Sequence, residues 1–379
     1  MSLELLTAYD FRDGNPVSME ISGARLQRIL PAASRPEVSR WLAPSLVDLQ
    51  VNGFAGVDFQ ADDLTEEDLL RACRGLRDAG CGRFLLTVIT DRWSKVLARL
   101  ANLKRLRDAH PGLRRRIVGW HVEGPFLSER PGFHGAHDPL RMCDPSPERI
   151  EELRKALPGD PLLITVDPER SGALESIRAA VSMGIRVSLG HTDAPASVIA
   201  KAVEAGATGF THLGNGCPQQ LDRHDNILWR IFEQPGLSVG MIPDRVHVSD
   251  SLFRLAHSVL GPDAICYVSD SMSAGGAVPG RYPLAELWLE VGADQIVRRP
   301  GTAQFAGPAL KPIDGVFRAA SVLGEPWQRS WRRFSELPAR WMGLEDSSSG
   351  ADGEDRCLVT VGEDGSLLDL RVLGAADLG

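Results

Sequence analysis

Three side chains in the middle of the chain could together hold a metal ion. Glu123, His191 and His212 each lie at or near the end of a separate apolar run of strand length. One carboxylate and two imidazoles are a common ligand set for a catalytic divalent metal, and they leave a position open for water. A single histidine in such a place is usually a hydrogen-bonded core residue, but two histidines with a glutamate favour a metal site. A metal there would lower the pKa of water to about 7 and polarise a carbonyl group.

Asp270 ends a later apolar run, in the sequence Tyr-Val-Ser-Asp-Ser. A carboxylate beside a metal site can take a proton from water and return it to a leaving group. Taken alone, Asp270 could equally be a buried salt-bridge or capping residue. Beside the three candidate ligands, the catalytic interpretation is favoured.

Asp48, Gln50 and Asn52 alternate at the end of the first apolar run, so their side chains point to one side of a strand. Gln and Asn are weak metal ligands that could position a water molecule or shape a pocket. Their presence argues against a second metal site rich in carboxylates or imidazoles.

Eight apolar runs alternate with amphipathic segments of helical length, which predicts a parallel α/β sheet. A (β/α)8 barrel is the natural closure for eight strands, and the polar residues above would meet at its C-terminal face, where active sites lie. A doubly wound open sheet is the alternative, but no Gly-x-Gly-x-x-Gly motif follows the first strand and no Walker loop occurs. The predicted strands are residues 46–52, 83–90, 116–123, 162–166, 186–191, 209–213, 237–242 and 265–269. The predicted helices are residues 65–79, 93–109, 172–182, 195–205 and 251–260, and a further helix that starts at Ser146 with Pro147 at its first position. The first of these helices is opened by a Thr65/Asp68 variant of the capping box.

The two ends of the chain differ from the middle. Residues 1–44 have the pattern of short strands and turns, and residues 357–374 have that of a hairpin. These terminal segments could pair into one small sheet domain. Residues 346–354, rich in Ser, Gly and acidic side chains, predict an exposed loop.

Composition excludes several classes of protein. A net charge of -8 argues against a chain-wide nucleic-acid surface. The six cysteines form no Cys-x-x-Cys pair, so neither a disulfide framework nor a zinc ribbon is predicted. There is no signal-peptide pattern and no run of about 18 apolar residues. We therefore expect a cytoplasmic protein with reduced thiols that binds neither membranes nor nucleic acids.

Five stretches of the chain, together with Asp270, resemble the N-acetylglucosamine-6-phosphate deacetylases of the amidohydrolase superfamily. The run Glu-Gly-Pro-Phe-Leu at residues 123–127 is the most distinctive, and the motifs follow the family order over nearly the whole chain. The matching stretches are residues 43–53 (APSLVDLQVNG), 119–127 (GWHVEGPFL), 135–137 (GAH), 189–194 (LGHTDA), 211–215 (THLGN) and Asp270.

The resemblance implies a (β/α)8 barrel with a small β-sandwich domain built from both termini. The implied boundaries are residues 1–44 and 344–379 for the small domain and residues 45–343 for the catalytic barrel. It further implies a hydrolase that removes the acetyl group from N-acetylglucosamine-6-phosphate with one divalent metal, usually zinc, held by Glu123, His191 and His212. Gln50 and Asn52 resemble the branch of the family that binds a single metal.

The resemblance also implies roles for further residues. Asp270 would be the base toward the attacking water and then the acid toward the sugar amine. His137 would help to polarise the acetyl carbonyl. Gln50, Asn52, Asn215 and Gly216 would contribute to the substrate pocket, with the last two beside the phosphate. Arg223 and His247 would reach the phosphate across the interface of a homodimer.

Four places depart from the family pattern, all where the sugar and its phosphate would lie. The loop at residues 132–134 lacks a lysine that often precedes Gly-Ala-His, Gly214 replaces an aromatic residue, and residues 222–226 and 243–247 differ. None of these departures touches the candidate ligands or Asp270. The reaction class is therefore better supported than the substrate. The alternatives are an amidohydrolase for a different N-acyl amino sugar or amide and, less favoured, a non-catalytic barrel paralogue.

Overall fold

The computed structural model describes residues 3–301, 305–344 and 355–374 of the 379-residue chain. In chain order the strands are β1 (Leu3–Asp10), β2 (Pro16–Ser22), β3 (Arg25–Pro31), β4 (Arg40–Pro44), β5 (Leu46–Val51), β6 (Gly53–Phe54), β7 (Val57–Asp58), β8 (Cys81–Ile89), β9 (Ile117–Glu123), β10 (Leu162–Val166), β11 (Arg186–Leu189), β12 (Gly209–Phe210), β13 (Ser238–Met241), β14 (Ile265–Tyr267), β15 (Gly280–Leu284), β16 (Leu287–Val291), β17 (Ile296–Arg298), β18 (Phe305–Pro308), β19 (Arg356–Val361) and β20 (Leu367–Leu373). The helices are α1 (Glu66–Asp78), α2 (Trp93–Ala109), α3 (Pro111–Arg116), α4 (Pro147–Ala156), α5 (Ala173–Ser182), α6 (Ala196–Glu204), α7 (Ile227–Glu233), α8 (Asp250–Leu260), α9 (Pro312–Leu323), α10 (Trp327–Arg333) and α11 (Glu336–Met342), with a 3-10 turn at Pro139–Arg141.

Eight parallel strands form a nearly closed barrel, with β5, β8 and then β9 to β14 following one another around the sheet. The last strand returns to the first through a parallel bridge between Val51 and Ser271. Strand order follows chain order throughout, which excludes the doubly wound alternative, where the order reverses within the sheet. The predicted (β/α)8 barrel is confirmed. Strand β10 has the predicted bounds, whereas β11 and β12 end before the predicted ones do.

Local sequence signals explain where the barrel helices begin. At α1 the Thr65 hydroxyl accepts from Asp68 N–H at 3.2 Å, and the Asp68 carboxylate accepts from Thr65 N–H at 3.0 Å. This is the predicted capping box. Helix α4 begins at Pro147 behind a Ser146 cap, also as predicted. Helix α7 was not predicted, because its seven residues give too short an amphipathic pattern.

The two termini pair into one six-stranded sheet, in the order β20, β19, β4, β1, β2, β3. Strands β19 and β20 form the predicted hairpin, and β19 also pairs antiparallel with β4. The expected sheet domain from both termini is therefore confirmed. The predicted loop at residues 346–354 lies outside the described residues.

A buried ion cluster joins the terminal sheet to the barrel. Asp355 precedes β19 and pairs with Arg116 at the end of α3, and both side chains are 2% exposed. Arg77 of α1 approaches the same carboxylate at 3.3 Å. Removing one member of such a buried pair leaves an uncompensated charge. The cluster is therefore expected to contribute strongly to docking of the two units.

A four-stranded antiparallel sheet, β15 to β18, lies between the last barrel strand and α9 and was not predicted. Its inner face packs on the barrel rim through residues that include Leu284, Leu289 and Met272. The sheet thereby covers one side of the C-terminal face. Within the described part of the chain, no helix has the length and apolar character needed to cross a membrane.

Candidate active site

The three predicted metal ligands lie together at the C-terminal end of the barrel. Glu123 is the last residue of β9, whereas His191 and His212 each come two residues after their strands end. Glu123 Oε1 lies 2.9 Å from His212 Nε2 and 3.3 Å from His191 Nε2. The two imidazole nitrogens are 3.1 Å apart. Among the described residues, this is the one cluster of His, Cys, Asp and Glu side chains arranged to hold a metal ion.

The three atoms of this triangle have the chemistry and spacing of ligands to one divalent metal. His191 Nδ1 lies 2.7 Å from the carbonyl oxygen of Phe133, so Nδ1 carries a proton, which leaves Nε2 as the nitrogen that can bind a metal. That nitrogen faces the acceptor oxygen of Glu123 and the second imidazole. Ligand atoms around a tetrahedral metal with bonds of about 2.0–2.1 Å lie about 3.3 Å apart. The measured separations of 2.9, 3.1 and 3.3 Å approach that value, so the residues fit one divalent metal.

His191, His212 and Asp270 share an uncommon backbone conformation. Their φ angles are 52°, 31° and 49°, in the left-handed region that residues other than glycine rarely adopt. Such conformations cost about 1–3 kcal/mol each and cluster at functional sites. The neighbouring loop is fitted closely around one of them, because a Cβ on Gly216 would lie only 2.9 Å from His191 Nδ1. Glycine is therefore required at that position.

Asp270 lies beside the ligand triangle and lines the same cavity. Burial, reinforced by the negative charge of Glu123, raises the pKa of Asp270 to about 7. Its Oδ1 accepts a hydrogen bond of 2.7 Å from Asn52 Nδ2. A carboxylate with a pKa near neutrality can both accept and release a proton at physiological pH. The geometry thus suits the acid–base role expected from the sequence.

His137, in the loop after β9, approaches the triangle from the side. Its Nε2 lies 3.7 Å from Glu123 Oε2. On the other side of the ring, Nδ1 accepts from Thr90 N–H at 3.4 Å and lies 2.8 Å from Thr90 Oγ1. Burial and the neighbouring His191 lower the pKa of His137 to about 3, so the ring is neutral. With Nδ1 as the acceptor, Nε2 carries the proton and presents an N–H to the cavity.

The three polar residues of β5 and its end make different contacts. Gln50 Nε2 donates to Glu123 Oε1 at 2.9 Å, and its side chain is buried below the cavity. Asn52 lies one pleat further and lines the cavity. Asp48 lies deepest, where Ser269 N–H donates to its two oxygens at 3.1 and 3.2 Å. Burial raises the pKa of Asp48 to about 7.

A cavity of about 460 Å³ opens over the ligand triangle. Two of the predicted substrate contacts are not part of its lining within one chain. Gln50 lies beneath it, and Arg223 lies exposed on the surface ahead of α7. The predicted residues that do line the cavity are Asn52, Glu123, His137, His191, His212, Asn215, Gly216, His247 and Asp270. His247 was expected to reach the phosphate from the neighbouring subunit, but it lines the cavity of its own chain.

The lining also contains residues that the sequence analysis did not identify. Met272, Leu284, Arg299 and Gly307 come from the segment that follows β14 and carries the four-stranded sheet. Arg299 is the one lysine or arginine in the cavity lining among the described residues. The largely apolar run Leu-Trp-Leu-Glu-Val at residues 287–291 was the available signal for this sheet.

A (β/α)8 barrel that gathers a Glu-His-His cluster and an aspartate at its strand ends defines a hydrolase of the amidohydrolase superfamily. No family model matches the chain. It is, however, 30% identical over 328 residues to N-acetylglucosamine-6-phosphate deacetylase from Vibrio furnissii, covering 86% of this chain and 80% of that protein. The chain therefore belongs to the N-acetylglucosamine-6-phosphate deacetylase family.

Two further comparisons are with deacetylases of amino-sugar phosphates, one of them named for a different sugar. The chain is 29% identical over 335 residues to N-acetylgalactosamine-6-phosphate deacetylase from Shewanella sp. (strain ANA-3), covering 88% of this chain and 82% of that protein. A solved structure of a mutant N-acetyl-D-glucosamine-6-phosphate deacetylase from Mycobacterium smegmatis, in complex with N-acetyl-D-glucosamine-6-phosphate, superimposes with a TM-score of 0.83. That match has 29% identity and covers 98% of each chain.

Proposed function

We propose that this enzyme hydrolyses the acetamide bond of N-acetylglucosamine-6-phosphate to give glucosamine-6-phosphate and acetate. The observation that carries the proposal is the triangle of Glu123, His191 and His212, which lies beside Asp270 in one cavity. The names of the relatives support the same reaction. We further propose zinc as the metal, because a carboxylate and two imidazoles with an open position are typical of zinc hydrolases.

The residues of the chain divide the chemistry between them. A divalent ion held by the triangle supplies polarisation of the acetyl carbonyl and lowers the pKa of water. Asp270 takes one proton from the attacking water while the water oxygen bonds to the acetyl carbon. His137 donates a hydrogen bond from Nε2 to the carbonyl oxygen as negative charge develops there, and keeps its proton. Asp270 then gives its proton to the sugar nitrogen as the C–N bond breaks and the carbonyl re-forms. The products are the amine and acetic acid, which loses its remaining proton to solvent to give acetate.

The phosphate contacts are proposed from position and charge. His247 lines the cavity, and its Nδ1 lies 2.6 Å from Asp244 Oδ2, which fixes the ring. Arg223 is exposed in its own chain, so we propose that it reaches the cavity of a second copy and that the enzyme is a homodimer. Arg299 already lines the cavity and offers a guanidinium to the same phosphate. Asn215 and Gly216 line the cavity beside them.

The experiment that tests the substrate is a comparison of kcat/KM for four compounds with zinc present. These are N-acetylglucosamine-6-phosphate, N-acetylgalactosamine-6-phosphate and the two sugars without phosphate. We expect a large preference for a phosphorylated sugar, with the glucosamine isomer favoured. Equal rates with and without phosphate would indicate a different N-acyl substrate. Stoichiometric metal without turnover on a wider N-acyl panel would indicate a non-catalytic paralogue.

The dimer can be tested by mixing two impaired variants, Arg223→Ala and Asp270→Asn. If Arg223 serves the neighbouring cavity, a mixed dimer contains one complete site, built from the intact Asp270 of one chain and the intact Arg223 of the other. Random mixing should then restore about a quarter of the wild-type activity. No recovery from subunits shown to exchange would contradict a contact across the interface.

We also retain the division of the chain into residues 1–44, 45–343 and 344–379. It is supported by β4, which ends at Pro44 in the terminal sheet, and by β5, which begins the barrel at Leu46. We propose a cytoplasmic location, supported by six cysteines that are all unpaired. We propose no binding to membranes or nucleic acids, in keeping with the net charge of -8.

A further inference from the structure

Asn52 makes both of its side-chain donor contacts with one residue. Its Nδ2 lies 2.7 Å from Asp270 Oδ1 and 3.2 Å from the Asp270 carbonyl oxygen. Both partners are acceptors, so the amide can present only its nitrogen to them. The reverse orientation would place an oxygen against two oxygens. The orientation of Asn52 is therefore fixed by chemistry.

The backbone around Asp270 is held by the same short segment. Asn52 N–H and Gly53 N–H both donate to the Ser271 carbonyl, at 2.8 and 3.1 Å. Between these bonds Asp270 keeps its left-handed φ of 49°. Without the Asn52 amide, both the main-chain carbonyl and the carboxylate of Asp270 would lose a hydrogen-bond donor. The carboxylate could then turn away from the ligand triangle.

Gln50, two residues earlier, makes the equivalent contact with the other carboxylate of the site. Its Nε2 donates at 2.9 Å to Glu123 Oε1, the same oxygen that faces both histidines. Gln50 is 2% exposed and lies outside the cavity lining. It therefore has no open path to a sugar, although it holds a candidate metal ligand directly.

We infer that Gln50 and Asn52 are positioning residues: Gln50 fixes the ligating carboxylate of Glu123, and Asn52 fixes Asp270. This assignment rests on the proposed hydrolytic function and replaces the substrate-binding role expected for both from the sequence. The alternation of β5 explains the pair, because residues two apart point to the same side of a strand. Each amide donates to one carboxylate, and the remaining lone pairs of that carboxylate stay available for metal binding or proton transfer.

Asn52→Leu removes the donor, keeps a similar volume and excludes a replacement water. We expect kcat to fall by about 10- to 100-fold, as for a small misplacement of a reacting group. KM should change less than about threefold, because no substrate contact is lost. Metal content should stay at one per chain. Gln60→Leu is the control, because Gln60 is also a buried amide near β5 but donates only to main-chain oxygens, those of Thr87 at 3.0 Å and Asn52 at 3.4 Å, and to neither carboxylate. It should lower the melting temperature without lowering kcat.

A double-mutant cycle separates positioning from every other role. If Asn52 acts only through Asp270, Asn52→Leu should cost less than about twofold in an Asp270→Asn background. An undiminished 10- to 100-fold loss in that background, or a rise in KM with kcat unchanged, would overturn the assignment. The cycle is measured on whichever N-acyl compound the wild-type enzyme hydrolyses best. A different substrate preference would then refute the proposed substrate without affecting this test.

Gln50→Leu has a readout that does not depend on turnover. Groups that hold a metal ligand typically contribute 10- to 100-fold to metal affinity. We expect zinc affinity, measured by competition with a chelator, to fall by about that factor in Gln50→Leu and to stay unchanged in Asn52→Leu. Equal zinc affinity in Gln50→Leu and the wild-type protein would overturn the role of Gln50.

Discussion

Asp270→Asn is the sharpest test of the catalytic assignment, because the substitution changes charge and almost nothing else. The new side chain keeps an oxygen that can accept from Asn52, and the main-chain carbonyl keeps its own contact. The site should therefore hold its shape and its metal. A general base contributes about 100- to 10,000-fold to rate. At about 1.4 kcal/mol per tenfold, this is about 3–5 kcal/mol of activation free energy.

The assay is acetate release at saturating substrate, together with zinc content and melting temperature for each protein. We expect kcat to fall by about 100- to 10,000-fold with one metal still bound. Asp167→Asn is the matched control, because Asp167 is also a buried aspartate at a strand end, with a pKa raised by burial to about 6. It lies outside the cavity lining, so its kcat should stay within a few-fold. If Asp270→Asn retains one metal and loses less than tenfold in kcat, Asp270 is not the base.

Three further outcomes are expected. His191→Ala should lose stoichiometric metal on dialysis, because it removes one corner of the ligand triangle; retention of one metal per chain would exclude His191 as a ligand. Asp355→Asn should lower the free energy of unfolding in urea by about 3–5 kcal/mol, because Arg116 stays buried without its counter-charge. The exposed pair of Glu4 and Arg371 is the control: Glu4→Gln should cost less than about 1 kcal/mol, and similar small losses in both variants would contradict the role of the cluster. The pKa of Asp48 is raised from 3.8 to about 7, so the folded state binds more protons and stability should fall as pH rises through this window. Asp48 should contribute at most about 1.4 kcal/mol per pH unit to this slope, and Asp48→Asn should make the slope shallower by that contribution, while the raised pKa values of Asp270 and Asp167 maintain the rest; an unchanged slope in Asp48→Asn would assign the whole effect to those other carboxylates.

The sequence predicted the barrel because the relevant signal is periodic and local. Strand β10 and helix α2 have the predicted bounds, and the Thr65–Asp68 capping box forms as its spacing indicated. Polar side chains at strand ends predicted the ligand triangle, since all parallel strands of a barrel present the same end to the active site. For these elements, position along the chain was enough to predict position in space.

The missed features depend on information that a local pattern does not contain. The sheet of β15 to β18 lies where a barrel would usually continue with a helix, so the largely apolar run at residues 287–291 was not assigned to a structure. Gln50 and Asn52 were placed on the correct side of β5, but their partners lie on β9 and after β14. Which polar group each one meets is set by closure of the barrel.

The two histidines show how backbone conformation, rather than strand position, completes the site. Successive side chains of a strand point to opposite sides. If the strands continued, His191 would therefore point to the same side as Leu189, and His212 to the same side as Phe210. Both of those residues are buried in the main core cluster with the helix-facing residues, whereas the alternate residues Ser188 and Thr211 hydrogen-bond to each other at 2.8 Å. A regular strand would therefore direct both histidines toward the helices and away from the metal site. The left-handed φ angles of 52° and 31° turn them inward. Glu123 needs no such turn, because it lies within β9 and points to the same side of the strand as His121. The side chain of His121 hydrogen-bonds to Thr165 in the barrel interior. Backbone strain thus occurs at the two ligands that the strand pattern alone would misdirect, and it stays at about 1–3 kcal/mol for each.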